Sequence, residues 1–463
     1  MIPMTLAEIA QVTGGTVDGD PSVVVTAPAS LDSRAVPAGG LFVAVVGEHV
    51  DGHEYAGSAV AAGAAAVLGS RPVGVPAVLV DDPAVALGRL AAHMRDQLSG
   101  TTVVALTGSQ GKTGTKDYLA QLLATAGATV ATLGNLNNEY GVPLTILRAT
   151  PETRYLVVEM GARGIGHIAY LCDIARPTVA GVLNVGTAHV GEFGSREAIA
   201  VAKGEIVEGL PADGVAVLNA DDPFTRGMDA RTDARVISFG REGEVSWSDE
   251  TVDDLDRPTA VFHYAGEKAQ ATLRQPGAHQ LANASAAVAL AVGAGMPFAD
   301  AVAALSEAVG LSRWRMELHE RPDGTVLVND SYNANPASMR AAVDVLATIG
   351  ERRGARTVAV LGEMRELGAE TEEAHRAIGE YAASRHVDVL LAIGEPARPM
   401  LDGIAGAAES ATTGVYVPDR DDALAWLRSN MRPRDIVVVK ASRGAELDKL
   451  AAAVVESWVE ESR

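Results

Sequence analysis

The residues best equipped for chemistry stand together between Gly108 and Thr113, in the order Gly108-Ser109-Gln110-Gly111-Lys112-Thr113. Two glycines let the backbone turn sharply, so that successive N–H groups can face one point and cradle phosphate oxygens at a helix start. A lysine beside them neutralises β- and γ-phosphates, and the hydroxyl of the next residue is a ligand for Mg²⁺. The pattern is the short G-x-x-G-K-T form; Leu106 stands where the longer phosphate-loop form has its first glycine. An ordinary strand-to-helix turn with an exposed lysine uses the same residue types and is the bland alternative. Phosphoryl transfer also needs metal ligands beyond the loop threonine. Glu159, which ends one apolar run, and His189, which lies shortly after another, are the candidates. A carboxylate at a buried strand end is costly unless paired or bound to a metal. A lone histidine, by contrast, is often just a satisfied core or surface residue.

These groups must be positioned by the elements around them. Val103–Thr107 is a β-branched and apolar run, read as a buried strand, and the stretch after Thr113 has helical composition with Tyr118, Leu119, Leu122 and Leu123. Further strand candidates alternate with helical stretches: Thr129–Leu133, Tyr155–Met160, Val179–Asn184 and Val215–Asn219. That alternation predicts a mostly parallel sheet with helices on both faces, and ligands at the carboxyl ends of its strands. Residues 236–275 read as short strands and turns, and Pro276-Gly277 breaks into a helix over His279–Val292. A second alternating series, Val326–Asn329, Thr357–Leu361, Val387–Ala392 and Ile436–Val439, predicts another α/β unit resembling a dinucleotide-binding fold. No G-x-G-x-x-G follows its strands, so NAD is not inferred. The expected organisation is α/β in three domains, at residues 1–99, 100–311 and 312–463.

The first of these opens with a short helix over Thr5–Val12 and has a strand at Leu41–Val46. Between them lies the polar loop Ser30-Leu31-Asp32-Ser33-Arg34, and after the strand comes Asp51-Gly52-His53. Hydroxyls with an arginine can bind a diphosphate; on the residues alone a solvated turn is the commoner meaning.

Composition narrows the partners. The chain has 463 residues, 48% of them hydrophobic, so about three cores can be buried. A net charge of −21 argues against nucleic acid or an anionic membrane surface. Cys172 is the single cysteine, so there is no disulfide framework and no thiolate metal cluster, which suits a reducing cytoplasm. Met1–Gly15 has no basic region followed by an apolar core, so no signal peptide is expected. The longest uncharged run, Tyr55–Ser70, is shorter than the ~20 apolar residues of a spanning helix and reads as a buried helix and strand.

Blocks along the whole chain then resemble the Mur ligase family, the ATP-dependent amide ligases of peptidoglycan precursor synthesis. They are Gly108–Thr113, Gly134-Asn135-Leu136-Asn137-Asn138 with Gly141 and Pro143, Glu159-Met160-Gly161-Ala162, Asn184-Val185-Gly186 with His189, and Ala202-Lys203-Gly204-Glu205-Ile206. The series continues with Leu218–Asp222, Gly277 with His279 and Asn283, Asp330–Pro336, Leu361–Gly368 and Lys440–Gly444. Within the family, Asp330-Ser331-Tyr332-Asn333-Ala334-Asn335-Pro336 and Leu361-Gly362-Glu363-Met364 look like the member that adds D-alanyl-D-alanine to the UDP-N-acetylmuramoyl tripeptide. Asp32-Ser33-Arg34 and Asp51-Gly52-His53 resemble its uridine-nucleotide domain, and no Asp-Asn-Pro-Arg motif of the sibling that adds the third residue is present.

The resemblance implies roles. Gly108, Ser109, Gln110, Gly111, Lys112, Thr113 and Gly114 bind the ATP phosphates. Thr113 and Glu159 hold a first Mg²⁺; Glu159, His189 and a carbamylated Lys203 hold a second. His279 and Asn283 approach the adenine, Asp330 the ribose, and Arg315 and Asn333 the nucleotide or phosphate. Ser30, Ser33 and Arg34, with Asn135, Asn137 and Asn138, take the muramoyl-peptide substrate, and the third domain takes the dipeptide. A monomer without membrane insertion or nucleic-acid partner is expected. On its pentapeptide alone, Lys203 reads rather as an ordinary surface helix lysine, and it is the resemblance that reverses this. Departures from the family are Gly114 for Thr or Ser, Gln110 for Asn, and Trp314 for the usual Gly before Arg315. The nearest rival is a sibling ligase of the folate polyglutamate type, which lacks a uridine-binding first unit; a phosphate-loop kinase or switch leaves the third domain and Lys203 unexplained.

Overall fold

The computed structural model describes residues 1–47, 50–186, 193–407 and 410–461. Its chain packs into two compact units: the first takes in residues up to Val185 with 197–243 and 286–301, the second 244–285 and 302 onward.

Besides a two-stranded antiparallel ribbon of Met4–Thr5 and Val24–Val25, the first unit contains two larger sheets. Strands β1 (Thr16–Asp18), β2 (Leu41–Val43), β3 (Ala66–Gly69) and β4 (Ala77–Leu79) lie in the order β1-β4-β3-β2, parallel except for β1 against β4. The other sheet has six parallel strands: β5 (Thr102–Thr107), β6 (Thr129–Ala131), β7 (Tyr155–Glu159), β8 (Val179–Val182), β9 (Val215–Asn219) and β10 (Arg235–Phe239). Their order is β10-β9-β8-β5-β7-β6. The central strands are runs of Val, Ala and Leu buried on both faces, which a parallel sheet covered by helices requires. The chain leaves β5 for β6, returns to β7 beside β5, then crosses to β8 on the other side. The carboxyl end of β5 is therefore the point where strand order reverses, the place where ligands bind in open sheets of this kind. Helix α1 (Lys112–Ala126) follows β5, and helix α2 (Arg196–Glu208) precedes β9.

The second unit holds an antiparallel sheet of β11 (Ser246–Val252), β12 (Pro258–Tyr264) and β13 (Glu267–Thr272). Helix α3 (His279–Gly293) starts in this unit. A last sheet runs in the order β14-β15-β19-β16-β17-β18, with β14 (Glu317–Glu320), β15 (Val326–Asn329), β16 (Thr357–Leu361), β17 (Val389–Ile393), β18 (Thr413–Val417) and β19 (Ile436–Lys440). Only β14 is antiparallel to its neighbour. Helix α4 (Pro336–Arg353) opens on a capping box from Asn335 and Ser338 with Pro336 in its first turn, and closes on Gly354 in the left-handed region. Helix α5 is Thr371–Ser384.

The strands expected from sequence are present, several of them shorter. The run Val179–Asn184 stops pairing at Val182 because Asn184 turns onto the phosphate loop instead. Residues 236–275 are more regular than expected: Arg235–Phe239 completes the parallel sheet and the remainder forms three long antiparallel strands. β14 and β18 escaped the sequence reading because edge strands half-open to water carry little apolar signal.

Candidate active site

Gly108 follows β5 and has no room for a side chain: a Cβ there would lie 2.9 Å from Leu183 Cβ and 3.1 Å from the Gln110 carbonyl oxygen. Gly111 caps α1 with φ +78°, the left-handed region that glycine adopts without penalty. Between them the loop is clamped to the end of β8. The Ser109 N–H donates to the Asn184 carbonyl at 3.1 Å and the Gln110 N–H to Asn184 Oδ1 at 2.9 Å; Asn184 Nδ2 donates back to the Gln110 carbonyl at 3.1 Å. Asn184 is itself held on both sides: Asn219 Nδ2 donates to the Leu183 carbonyl at 2.8 Å, and the Val185 N–H donates to Asp222 Oδ2 at 2.7 Å. Lys112 Nζ donates to the Gly108 carbonyl at 2.6 Å, so its ammonium lies back over the loop.

Glu159 ends β7 in register with Leu106 of β5, which sets its carboxylate beside the loop. It is 1% exposed. The Thr113 hydroxyl donates to its Oε2 at 3.1 Å and Asn137 Nδ2 to its Oε1 at 2.7 Å, while its own N–H donates to Thr132 Oγ1 at 3.0 Å. A hydroxyl and a buried carboxylate side by side are the hard oxygen donors Mg²⁺ takes, so this pair fits a metal at the loop. Lys203 on α2 is 6% exposed, and burial together with the nearby Lys112 charge holds its amine well below the ordinary lysine range. The expected fourth member, His189, lies outside the described residues. Among the described residues no three His, Cys, Asp or Glu side chains cluster as a metal site.

Thr132, Asn184, Asn219 and Asp222 were given no part by sequence reasoning, although the last three stood in quoted blocks. Lys116 and Asp117 of α1 were missed altogether: they form a buried pair at 2.6 Å, and Lys116 Nζ donates to the Thr132 carbonyl at 3.0 Å. Two adjacent charged residues in a helix read as a solvated face, so no sequence signal marked them.

Of the other site residues in the first unit, Asn137 is half-buried and donates to Glu159. Asn138 Oδ1 accepts from the N–H groups of Tyr140 and Gly141 at 3.3 and 3.0 Å, and Asn135 is exposed. Arg34 is exposed and bidentate with Asp32, both bonds 2.9 Å, and it draws the Asp32 carboxyl down to about 2. Ser30 braces the same loop: its hydroxyl accepts from the Asp32 N–H at 3.1 Å, with Ser33 half-buried beside them. His53 is buried between Asp51, 2.6 Å from Nδ1, and the Ser70 N–H, 2.9 Å from Nε2.

In the second unit, Asp330 ends β15 and is buried. Its Oδ1 accepts from the Met316 N–H at 3.1 Å, and its Oδ2 takes a short contact from Lys440 Nζ, which also donates to the Asn333 carbonyl at 2.9 Å. Asn333 is exposed. Arg315 lies over the Tyr332 ring, 4.0 Å from its centroid, with Nε buried. Its neighbour Trp314 has φ +62°, which accounts for glycine as the family's usual residue there. The Arg443 guanidinium, 4.4 Å from the Trp314 ring, offsets part of that backbone cost. His279 stands exposed in the first turn of α3, and Asn283 Nδ2 donates to Gln280 Oε1 at 3.1 Å.

Sequence profiles of one family match most of the chain: the Mur ligase family catalytic domain over residues 29–95, the Mur ligase middle domain over 106–291, and the Mur ligase glutamate ligase domain over 314–443. The chain is 43% identical to the UDP-N-acetylmuramoyl-tripeptide–D-alanyl-D-alanine ligase of Mycobacterium tuberculosis, over 98% of both chains. It is 35% identical to the Escherichia coli enzyme of the same name, over 99% of both. A crystal structure of MurF from Acinetobacter baumannii superposes with TM-score 0.86 at 33% identity, covering 98% of this chain and 99% of that one. MurF ligase from Thermotoga maritima in complex with ADP superposes with TM-score 0.79 at 30% identity, covering 94% and 99%.

Proposed function

The chain belongs to the Mur ligase family, and on that premise we propose that it joins D-alanyl-D-alanine to the UDP-N-acetylmuramoyl tripeptide, with ATP cleaved to ADP and phosphate. The observation that carries the reading is the carboxyl end of β5. There the glycine loop with Lys112, the Thr113–Glu159 pair and the buried amine of Lys203, which feels the Lys112 charge, support the reading.

A carboxylate does not acylate an amine, because oxide would have to leave. In the proposed reaction a tripeptide carboxylate oxygen attacks the γ-phosphorus of ATP, and ADP departs. The acyl phosphate that forms is attacked by the free amine of the dipeptide; the tetrahedral adduct collapses, expels phosphate and loses a proton. The loop N–H groups and Lys112 hold the triphosphate, and Asn184 holds the loop. Thr113 and Glu159 would hold Mg²⁺, and Asn137 and Thr132 orient Glu159. Mg²⁺, when bound, offsets the repulsion between the triphosphate and the incoming carboxylate. Ser30, Ser33 and Arg34 take the UDP end; His279, Asn283, Arg315, Asp330 and Asn333 take the nucleotide; the third domain takes the dipeptide.

Lys203, as its carbamate, would hold a second metal together with Glu159 and His189. CO₂ adds to a neutral amine, giving Lys–NH–COO⁻ and a proton, and the lowered basicity of Lys203 favours that step. The product is an anionic oxygen donor that Mg²⁺ prefers. A cytoplasmic monomer completes the reading; among the described residues no helix is long and apolar enough to cross a membrane. The test is phosphate release with ATP, the UDP-muramoyl tripeptide and D-alanyl-D-alanine, omitting each in turn. Release that persists without the dipeptide at the full rate would point to a kinase or switch.

A further inference from the structure

At the carboxyl edge of the last sheet, the loop after β16 carries Glu363 and Arg365 and is knit into its neighbours by main-chain bonds. The Gly362 N–H donates to the Lys440 carbonyl and the Ser442 N–H to the Glu363 carbonyl, both at 2.9 Å. The Arg365 N–H donates to Ser442 Oγ at 2.9 Å. Between those residues is Met364, whose N–H points the other way, to Nε2 of His375 at 2.8 Å. His375 starts the second turn of α5, with no exposed surface. Its Nδ1 is 2.6 Å from the Thr371 carbonyl. A carbonyl only accepts and a main-chain N–H only donates, so Nδ1 carries the proton and Nε2 is the acceptor. Burial keeps the ring neutral, which that arrangement requires, because an imidazolium would set N–H against N–H.

We propose that His375 is a positioning residue for amide-bond formation: its ring fixes the Glu363–Arg365 loop at the sheet edge that receives the incoming dipeptide. The proposal rests on the assignment of that substrate to the third domain. A buried histidine with both nitrogens on main-chain groups is a spacer of fixed length between a helix and a loop. Its two bonds do different things. The Thr371 bond belongs to α5 alone, whereas the Met364 bond reaches the loop. A role in fold stability would draw on both; a role in substrate placement draws on the second.

Two substitutions in the full chain separate them. His375→Gln sets an amide oxygen near the Nε2 position and retains an acceptor for Met364. His375→Asn sets an amide N–H near Nδ1, retains the Thr371 bond and leaves Met364 unheld. KM for D-alanyl-D-alanine should rise about tenfold in His375→Asn, as loss of one buried hydrogen bond allows, and stay within about threefold of wild type in His375→Gln. KM for ATP should hold in both. Hydrogen exchange over 362–367 is the second readout, with protection lost in the Asn variant and kept in the Gln variant. Equal effects of the two variants, or an ATP KM that moves with the dipeptide KM, overturns the proposal. If wild-type protein does not turn over D-alanyl-D-alanine at all, the functional reading fails instead. The exchange data then still decide whether His375 holds the loop.

Discussion

Lys112 and Lys203 are both lysines near one phosphate site, and their surroundings separate their tasks. Lys112 starts α1 and reaches back across the glycine loop, where a fixed positive charge would meet the triphosphate of the proposed reaction. Lys112→Ala should keep the melting temperature of the wild type and lose ligation by about 10²-fold or more, as removal of one preorganised charge-stabilising group does. Near-normal turnover would take the loop out of the mechanism. Lys203 is buried close to that charge, which favours its neutral amine. Lys203→Ala should be nearly inactive and partly restored by formate or acetate, each a small carboxylate able to stand in for a carbamate. A fully active variant with unchanged Mg²⁺ dependence would contradict carbamylation.

Elements place these groups, and the joints between elements are where loss of a side chain should tell. The end of β8 holds the phosphate loop through both the amide oxygen and the amide nitrogen of Asn184. Asn184→Ala removes two hydrogen bonds and leaves the glycines intact. KM for ATP should rise on the order of tenfold while KM for the nucleotide peptide stays put. A different joint, the turn between β11 and β12, carries Asp256 at φ +58° with 6% exposure. Burial raises its carboxyl from 3.8 to about 6; Arg352 opposes the shift, and Asp253 and Asp344 add to it. The folded protein therefore binds this proton more tightly than the unfolded chain. The contribution is fully present below pH 3.8 and is lost as the pH climbs through 6. Asp256→Asn, whose side chain also tolerates the left-handed backbone, should stabilise by about 2 kcal/mol at pH 8 and much less at pH 4. Urea melts at the two pH values measure this, and an equal gain at both would contradict the assignment.

At the scale of whole sheets, the proposed UDP-binding loop and the phosphate loop belong to two different sheets, so a binding defect at one is expected to leave the other unchanged. Arg34 is exposed and tied to its own loop through Asp32, so its removal should not disturb folding. Arg34→Ala should raise KM for the UDP-muramoyl tripeptide several-fold and leave KM for ATP unchanged. If ATP affinity alone suffers, the first sheet has the wrong substrate.

The sequence by itself determined the α/β class, the phosphate loop and the alternation that builds its sheet. Those signals are local: glycine, lysine and threonine at fixed spacing, and apolar runs of strand length. Glu159 was legible because a carboxylate ending an apolar run has few other uses. What only the tertiary structure decided is which side chains support that first set of groups. Asn137 turned out to grip Glu159, Thr132 to hold its backbone, and Lys116 to lie buried against Asp117. Partners 22 to 27 residues apart, or 74 for Gln110 and Asn184, meet only when parallel strands come into register. No spacing rule in the chain encodes that pairing. His375 makes the same point: in sequence it is one histidine on a helix, and only the fold brings a main-chain N–H to one nitrogen and a carbonyl to the other.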